Sequence, residues 1–128
     1  MAYCVGIDLG GTNIKAGLLD AQSRVLCKFS IPTEVEQGEA QVVNNIAVAV
    51  ERAIEESGVP RGEVRGIGIG SPGPLSHRTG VVIKPGNLPC LRNVPLTKYI
   101  SERTGIHTTL ENDANAAAWG EYGAGAGK

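Results

Sequence analysis

The sequence predicts an α/β domain: a mixed five-stranded sheet, three antiparallel strands then parallel strands, flanked by helices. Three observations predict it. Apolar alternation broken by short polar gaps marks three strands at the start. The apolar period then lengthens to three and four residues over one long segment. After that, strand and helix patterns alternate, which is how a sheet gains parallel strands.

Each element has its own signal. Residues 3–8 (YCVGID) form a mostly apolar strand ending in an acid. Residues 9–13 (LGGTN) form a tight glycine turn. Residues 14–19 (IKAGLL) alternate as a second strand, residues 20–23 turn, and residues 25–31 form the third. Gaps this short make the three an antiparallel meander. Residues 32–38 are a polar loop. From Glu39, the positions Val42, Val43, Ile46, Val50 and Ile54 share one helical face, and Gly58 and Pro60 end that helix. Residues 64–69 (VRGIGI) read as a buried strand and residues 70–74 (GSPGP) as a rigid loop. Residues 80–83 are a short extended piece. Pro95 opens a brief helix marked by Leu96, Tyr99 and Ile100. A strand over 107–111 and an Ala-rich helix over 114–122 complete the series. Residues 123–128 (GAGAGK) are a Gly-rich end unlike the close of a natural domain, so a truncated chain is expected.

Composition narrows the function. The 128 residues are one domain's worth, and 41% apolar content supports a packed core. Gly numbers 18 and aromatics are 4%, which suits tight strand–helix junctions better than a base-stacking platform. A net charge of −1 supplies no field for nucleic acid or an anionic membrane. No run of 18 apolar residues exists to span a bilayer, and residues at the start lack a signal-peptide pattern. Cys4, Cys27 and Cys90 fit neither a zinc site nor a disulfide framework. They read as reduced thiols of a cytoplasmic protein, Cys4 and Cys27 as small core residues.

Two motifs carry chemistry. In Asp8-Leu9-Gly10-Gly11-Thr12-Asn13-Ile14-Lys15 a strand delivers an acid to a turn. The glycine pair lets backbone pass close to an oxyanion and offer its N–H groups. Thr12 and Asn13 add donors, Lys15 adds positive charge, and Asp8 suits Mg²⁺ or its waters. An ordinary glycine hairpin is the plainer alternative. The second motif is Glu111-Asn112-Asp113-Ala114-Asn115, polar groups at a strand end, where ligands collect. Asp113 is the candidate general base; its plainer role is a helix N-cap. Gly68, Gly70 and Gly73 match G-x-G-x-x-G in form, but Pro72 and Pro74 forbid the helix that fingerprint must open. His77 and His107 stand without metal-ligand partners, and Trp119 reads as packing.

Together these segments resemble a known family. VGIDLGGTNIKAGLLD resembles the first phosphate loop of the ROK kinases (repressors, open reading frames and kinases). GIGSPGPLSHRTGVV, GNLPCLRNVPL and ENDANAAAWGEYGAGAG resemble, in order, the rest of that family's amino-terminal domain. The resemblance implies an actin-like ATPase, ribonuclease H-like fold and the amino-terminal half of a two-domain, ATP-dependent hexose kinase, with glucose the leading substrate. It implies that Gly10, Gly11, Thr12 and Asn13 hold ATP phosphates, with Lys15 near them and Asp8 near Mg²⁺, through water. Gly73, Asn87 and Asn112 would line the sugar pocket, and Asp113 would take the proton of the sugar hydroxyl. Ser76 stands where the family often has Asp, and Cys90-Leu91 where an aromatic often follows NLP. An N-acylmannosamine or fructose kinase therefore stays open, as does a sugar-sensing repressor without catalysis. The resemblance places the second phosphate loop, the adenosine site and a structural zinc after Lys128, so the 128 residues alone are expected to be inactive. A homo-oligomer is expected, and Asp8 and Asp113 are expected to end neighbouring strands facing one cleft.

Overall fold

In the computed structural model, residues 2–70, 75–76, 81–82 and 94–111 are described. The chain runs through β1 (Tyr3–Leu9), β2 (Asn13–Leu19) and β3 (Val25–Pro32) into helix α1 (Glu39–Ser57). It continues through β4 (Val64–Gly70), β5 (Leu75–Ser76), β6 (Val81–Val82) and β7 (Val94–Pro95) to helix α2 (Leu96–Thr104) and β8 (Thr108–Glu111). Single 3-10 turns at Val35–Gln37 and Arg61–Glu63 lead into α1 and β4.

β1, β2, β3, β4 and β8 form one sheet in the order β3-β2-β1-β4-β8. β1, β2 and β3 pair antiparallel, while β4 joins β1 in parallel and β8 joins β4 in parallel. The expected five-stranded mixed sheet is thus present. A smaller sheet is not expected from the sequence: β5, β6 and β7 make a separate antiparallel sheet of two-residue strands. The expected extended piece at 80–83 contains β6. The Ala-rich helix at 114–122 and the loop at 71–74 lie outside the described residues.

Alternation along β1 sets the layers. Val5, Ile7 and Leu9 are buried while Asp8 between them is exposed. Parallel register puts Ile67 beside Val5 and Ile69 beside Ile7, so β4 extends the same apolar face. α1 covers that face with Val42, Ile46, Ala49, Val50 and Ala53, and α2 adds Leu96 and Ile100. Each fully buried aliphatic side chain stabilises the fold by about 1.5–3 kcal/mol over an exposed one. α1 ends where its periodicity does. Gly58 adopts the left-handed conformation (φ 74°) and returns its N–H to the carbonyls of Ile54 and Glu55.

Cys4 is buried, as expected of a small core residue. Cys27 is half-buried against α1 and donates its S–H to the Ala53 carbonyl at 3.4 Å. Burial pushes the Cys27 thiol up, which keeps it protonated at neutral pH.

The turn joining β2 to β3 is built around Asp20, which is 3% exposed. Its carboxylate accepts the N–H groups of Gln22 and Arg24 at 2.9 Å and the Arg24 Nε–H at 2.8 Å. The Arg24 backbone N–H is the main cause that holds the Asp20 carboxyl below the usual range. Burial opposes it, and the Arg24 guanidinium and the Gln22 N–H reinforce it.

Two outcomes are expected from this architecture. Ile46→Ala should cost about 2–5 kcal/mol in a urea titration. Val48→Ala, on the exposed side of the same helix, should stay within ~0.5 kcal/mol of the parent. A depressed carboxyl pKa contributes stability that is complete above the unfolded value and lost as pH falls through the folded value. Asp20→Asn should therefore lower the melting temperature at pH 7, and the gap to the parent should close in acid, below about pH 4.

Candidate functional site

The site is built at the edge where β1, β4 and β8 end. All three are parallel, so their carboxyl ends meet there, the place where open α/β sheets bind ligands. One register row crosses the sheet at this edge: Ser30, Lys15, Asp8, Gly70 and Glu111, on β3, β2, β1, β4 and β8. Strands lie roughly 4.8 Å apart, which puts the Asp8 and Glu111 backbones about 10 Å from each other across Gly70. This corrects one expectation. The strand that leads to Asp113 is not the neighbour of the strand that carries Asp8, because β4 is inserted between them. The right-handed crossover rule fixes the side on which each new strand docks only once the sheet face covered by its helix is known, and the local sequence pattern does not give that face.

The antiparallel β1–β2 register places Asp8 directly opposite Lys15 on one face, both exposed. Direct partners of this kind hold their Cβ atoms roughly 5 Å apart. Among the described residues, neither side chain makes a hydrogen bond or an ion pair. Opposite charges are therefore presented side by side without being spent on each other.

The turn between β1 and β2 holds residues 10–13. The Gly10 N–H donates to the Asn13 carbonyl at 3.0 Å, which closes the turn. A Cβ on residue 10 would stand 2.8 Å from that same carbonyl oxygen, so only glycine fits there. The two outward carbonyls are occupied from behind by Thr33. Its hydroxyl donates to the Gly10 carbonyl at 2.7 Å and its N–H donates to the Thr12 carbonyl at 2.9 Å. Among the described residues the N–H groups of Gly11 and Thr12 have no acceptor. A turn with its Gly10 and Thr12 carbonyls engaged and two N–H groups open is able to receive an anion. Thr12 and Asn13 are exposed beside it.

Thr33 is fully buried, and no local sequence signal marks it. It sits 23 positions from Gly10. Asn45 on α1 holds it in turn: its Nδ2 donates to the Thr33 carbonyl at 3.0 Å and to the Glu34 carboxylate at 2.8 Å, and its Oδ1 accepts from Gln41 at 2.9 Å.

Of the residues expected to form the site, Asp8, Gly10, Gly11, Thr12, Asn13 and Lys15 are brought together. Gly73, Asn87, Asn112 and Asp113 lie outside the described residues. Among the described residues no group of His, Cys, Asp and Glu forms a metal cluster. A single exposed carboxylate still fits Mg²⁺, which commonly takes one or two carboxylates and completes its shell with water and phosphate. Among the described residues no helix is long and apolar enough to cross a membrane.

Residues 4–128 match the sequence pattern of the ROK family. The chain belongs to that family. It is 39% identical to a glucokinase of Thermotoga maritima over 124 residues, 97% of this chain and 38% of that protein. Its fold superposes on a crystal structure of a ROK hexokinase from Thermus thermophilus with a TM-score of 0.78, at 44% identity, covering 94% of this chain and 38% of that one. A ROK family glucokinase from Streptomyces griseus, in complex with glucose and AMPPNP, superposes with a TM-score of 0.79 at 37% identity, covering 99% of this chain and 38% of that one. The ROK chain thus has the actin-like ATPase fold of these sugar kinases and spans little more than a third of their length.

Gly10→Ala should open the turn. The amide of residue 10 should lose its protection from hydrogen exchange, whereas Gly62→Ala, where a Cβ meets nothing within 4 Å, should leave that amide unchanged.

Proposed function

We infer that the chain is the amino-terminal, phosphate-binding domain of a two-domain kinase that transfers the terminal phosphoryl group of ATP to glucose. The observation that carries this reading is the turn at residues 10–13. Its open N–H groups lie between an exposed carboxylate and an exposed ammonium, at the carboxyl edge of the sheet. The likeness to kinases that share more than a third of its residues supports ATP as the anion's source and glucose as the acceptor.

Phosphoryl transfer is mostly positioning and charge stabilisation, so each group has a bounded task. Gly10, Gly11, Thr12 and Asn13 hold the phosphates, and Lys15 offsets their charge. Asp8 would hold Mg²⁺ or its waters, and the ion would supply positive charge against that developing on the transferring group. Gly73, Asn87 and Asn112 line the sugar pocket. The sugar 6-hydroxyl oxygen bonds to the terminal phosphorus as the bridging bond to ADP breaks, and Asp113 accepts the hydroxyl proton. The adenosine site and the structural zinc belong to the second domain of the kinase. Cysteines that serve as core residues, Cys4 buried and Cys27 half-buried, suit a reducing cytoplasm.

In the kinase that carries this chain, Asp113→Ala should lower turnover at least ~10²-fold, the typical share of a positioned base. Glucose affinity should fall less. A coupled assay of ADP release should show a higher kcat/KM for glucose than for N-acetylmannosamine or fructose. Near-normal turnover of the Asp113 variant would leave that residue only a helix cap.

A further inference from the structure

From the buried contacts behind the phosphate turn, we propose that Thr33, braced by Asn45, is a positioning residue for the phosphate donor. It acts on ATP without touching it, by fixing which way the turn's backbone groups face. This rests on the reading of residues 10–13 as the phosphate site.

The geometry is specific to that task. Thr33 lies between the end of β3 and the first 3-10 turn, and it makes two bonds to two alternate carbonyls of one turn. A carbonyl oxygen near a phosphate is repelled, and a free N–H is attracted. With the Gly10 carbonyl held by Thr33, the Gly11 N–H of the same peptide unit faces the opposite way, and the Gly11–Thr12 unit, which carries the Thr12 N–H, is pinned between two held units. Without the hydroxyl, the Gly10 carbonyl is left without its buried donor, and peptide rotation toward water or toward the ligand relieves it. Free rotation here would replace an attractive group by a repulsive one in the phosphate site.

The brace reaches the core. Asn45 is on α1, next to the fully buried Ile46. Its amide fixes the Thr33 carbonyl and the side chain of Glu34. Glu34 itself holds a left-handed conformation (φ 63°), uncommon for a residue with a side chain. Asn45 thus satisfies two groups at a kink in the chain. Movement of α1 relative to the sheet is transmitted to the phosphate turn through two side chains.

The test uses the intact kinase and four variants. Thr33→Val removes the hydroxyl at nearly constant volume, and Thr33→Ser restores it. Asn45→Ala removes the brace and leaves the hydroxyl in place. Thr104→Val removes another buried hydroxyl bond, to the Ile100 carbonyl at 2.7 Å, far from the turn in sequence and bonded within α2. Two readouts are taken: hydrogen exchange of the Gly10 amide without nucleotide, and the separate KM values for ATP and sugar. Thr33→Val should speed the exchange and raise the ATP KM ~10-fold, the effect of one lost buried bond, with the sugar KM within about twofold of the parent. Thr33→Ser should return both readouts toward the parent. Asn45→Ala should move both in the same direction as Thr33→Val, and so decides the matter where Thr33→Val does not fold. Thr104→Val should lower the melting temperature and move neither readout. The proposal is overturned if the Thr33 and Asn45 variants lose melting temperature alone, with parental exchange and parental ATP KM. A parent protein that consumes no ATP would defeat the kinase reading instead, and the Gly10 exchange would still decide whether Thr33 orders the turn.

Discussion

In β1, Val5, Ile7 and Leu9 enter the core while Asp8 stays in water, and the rest of the sheet is locked to that alternation by register. Side chains on a strand alternate with period two, so a slip of one residue would carry Asp8 under α1 and lift three aliphatic groups out. Burying an unpaired carboxylate and exposing three core side chains are both costly, and the two costs add. The core therefore fixes the chemistry: Asp8 and Lys15 share a face because the apolar face is already taken. β4 is bound by the same rule through the Val5–Ile67 and Ile7–Ile69 pairs. Once β4 is in place, β8 can end only at the same edge.

The turn at residues 10–13 shows what backbone accounting does for a candidate binding site. Every buried carbonyl and N–H needs a partner. Here the Gly10 and Thr12 carbonyls are satisfied by a fully buried threonine, and among the described residues the Gly11 and Thr12 N–H groups have no acceptor. A turn satisfied in both senses would have no affinity for an anion. A turn satisfied in neither would be free to rotate its peptides and would lose its preference for one. The selective use of Thr33 is what makes a short glycine-rich link into a receptor.

Legibility in the sequence followed the range of the interactions. The three first strands, α1 and β8 were readable to within a residue or two because period and end signals are local. Gly58 marked the helix end, and the acid–glycine–hydroxyl–lysine cluster marked the turn. The two-residue strands β5 and β7 and the 3-10 turns were not readable, since segments that short carry no period. The position of β4 between β1 and β8 was misjudged because strand order is a tertiary choice. Thr33 and Asn45 were invisible for a related reason. One follows a proline at a strand end, the other sits on a helix among apolar neighbours, and their meaning lies in partners 23 and 12 positions away.

Two aspartates of one meander show how environment separates a structural carboxylate from one left open to a ligand. Asp20 sits in the turn between β2 and β3, and Asp8 lies on β1 near the opposite end of the meander, paired with Lys15 of β2. The sequence presents both as an acid at a strand end. Asp20 is buried and accepts two N–H groups of its own turn and the Arg24 guanidinium. Its charge is already satisfied, so any ligand would have to displace bonds that hold the hairpin shut. Asp8 is exposed, and among the described residues its carboxylate accepts nothing. A hydrated cation can approach it with no protein bond broken and little burial to overcome. Lys15 across the strand limits how much negative charge accumulates there, which suits an ion that arrives together with phosphate better than one held by protein alone. The meander is thus closed chemically at one end and open at the other, and the parallel strands β4 and β8 terminate at the open end.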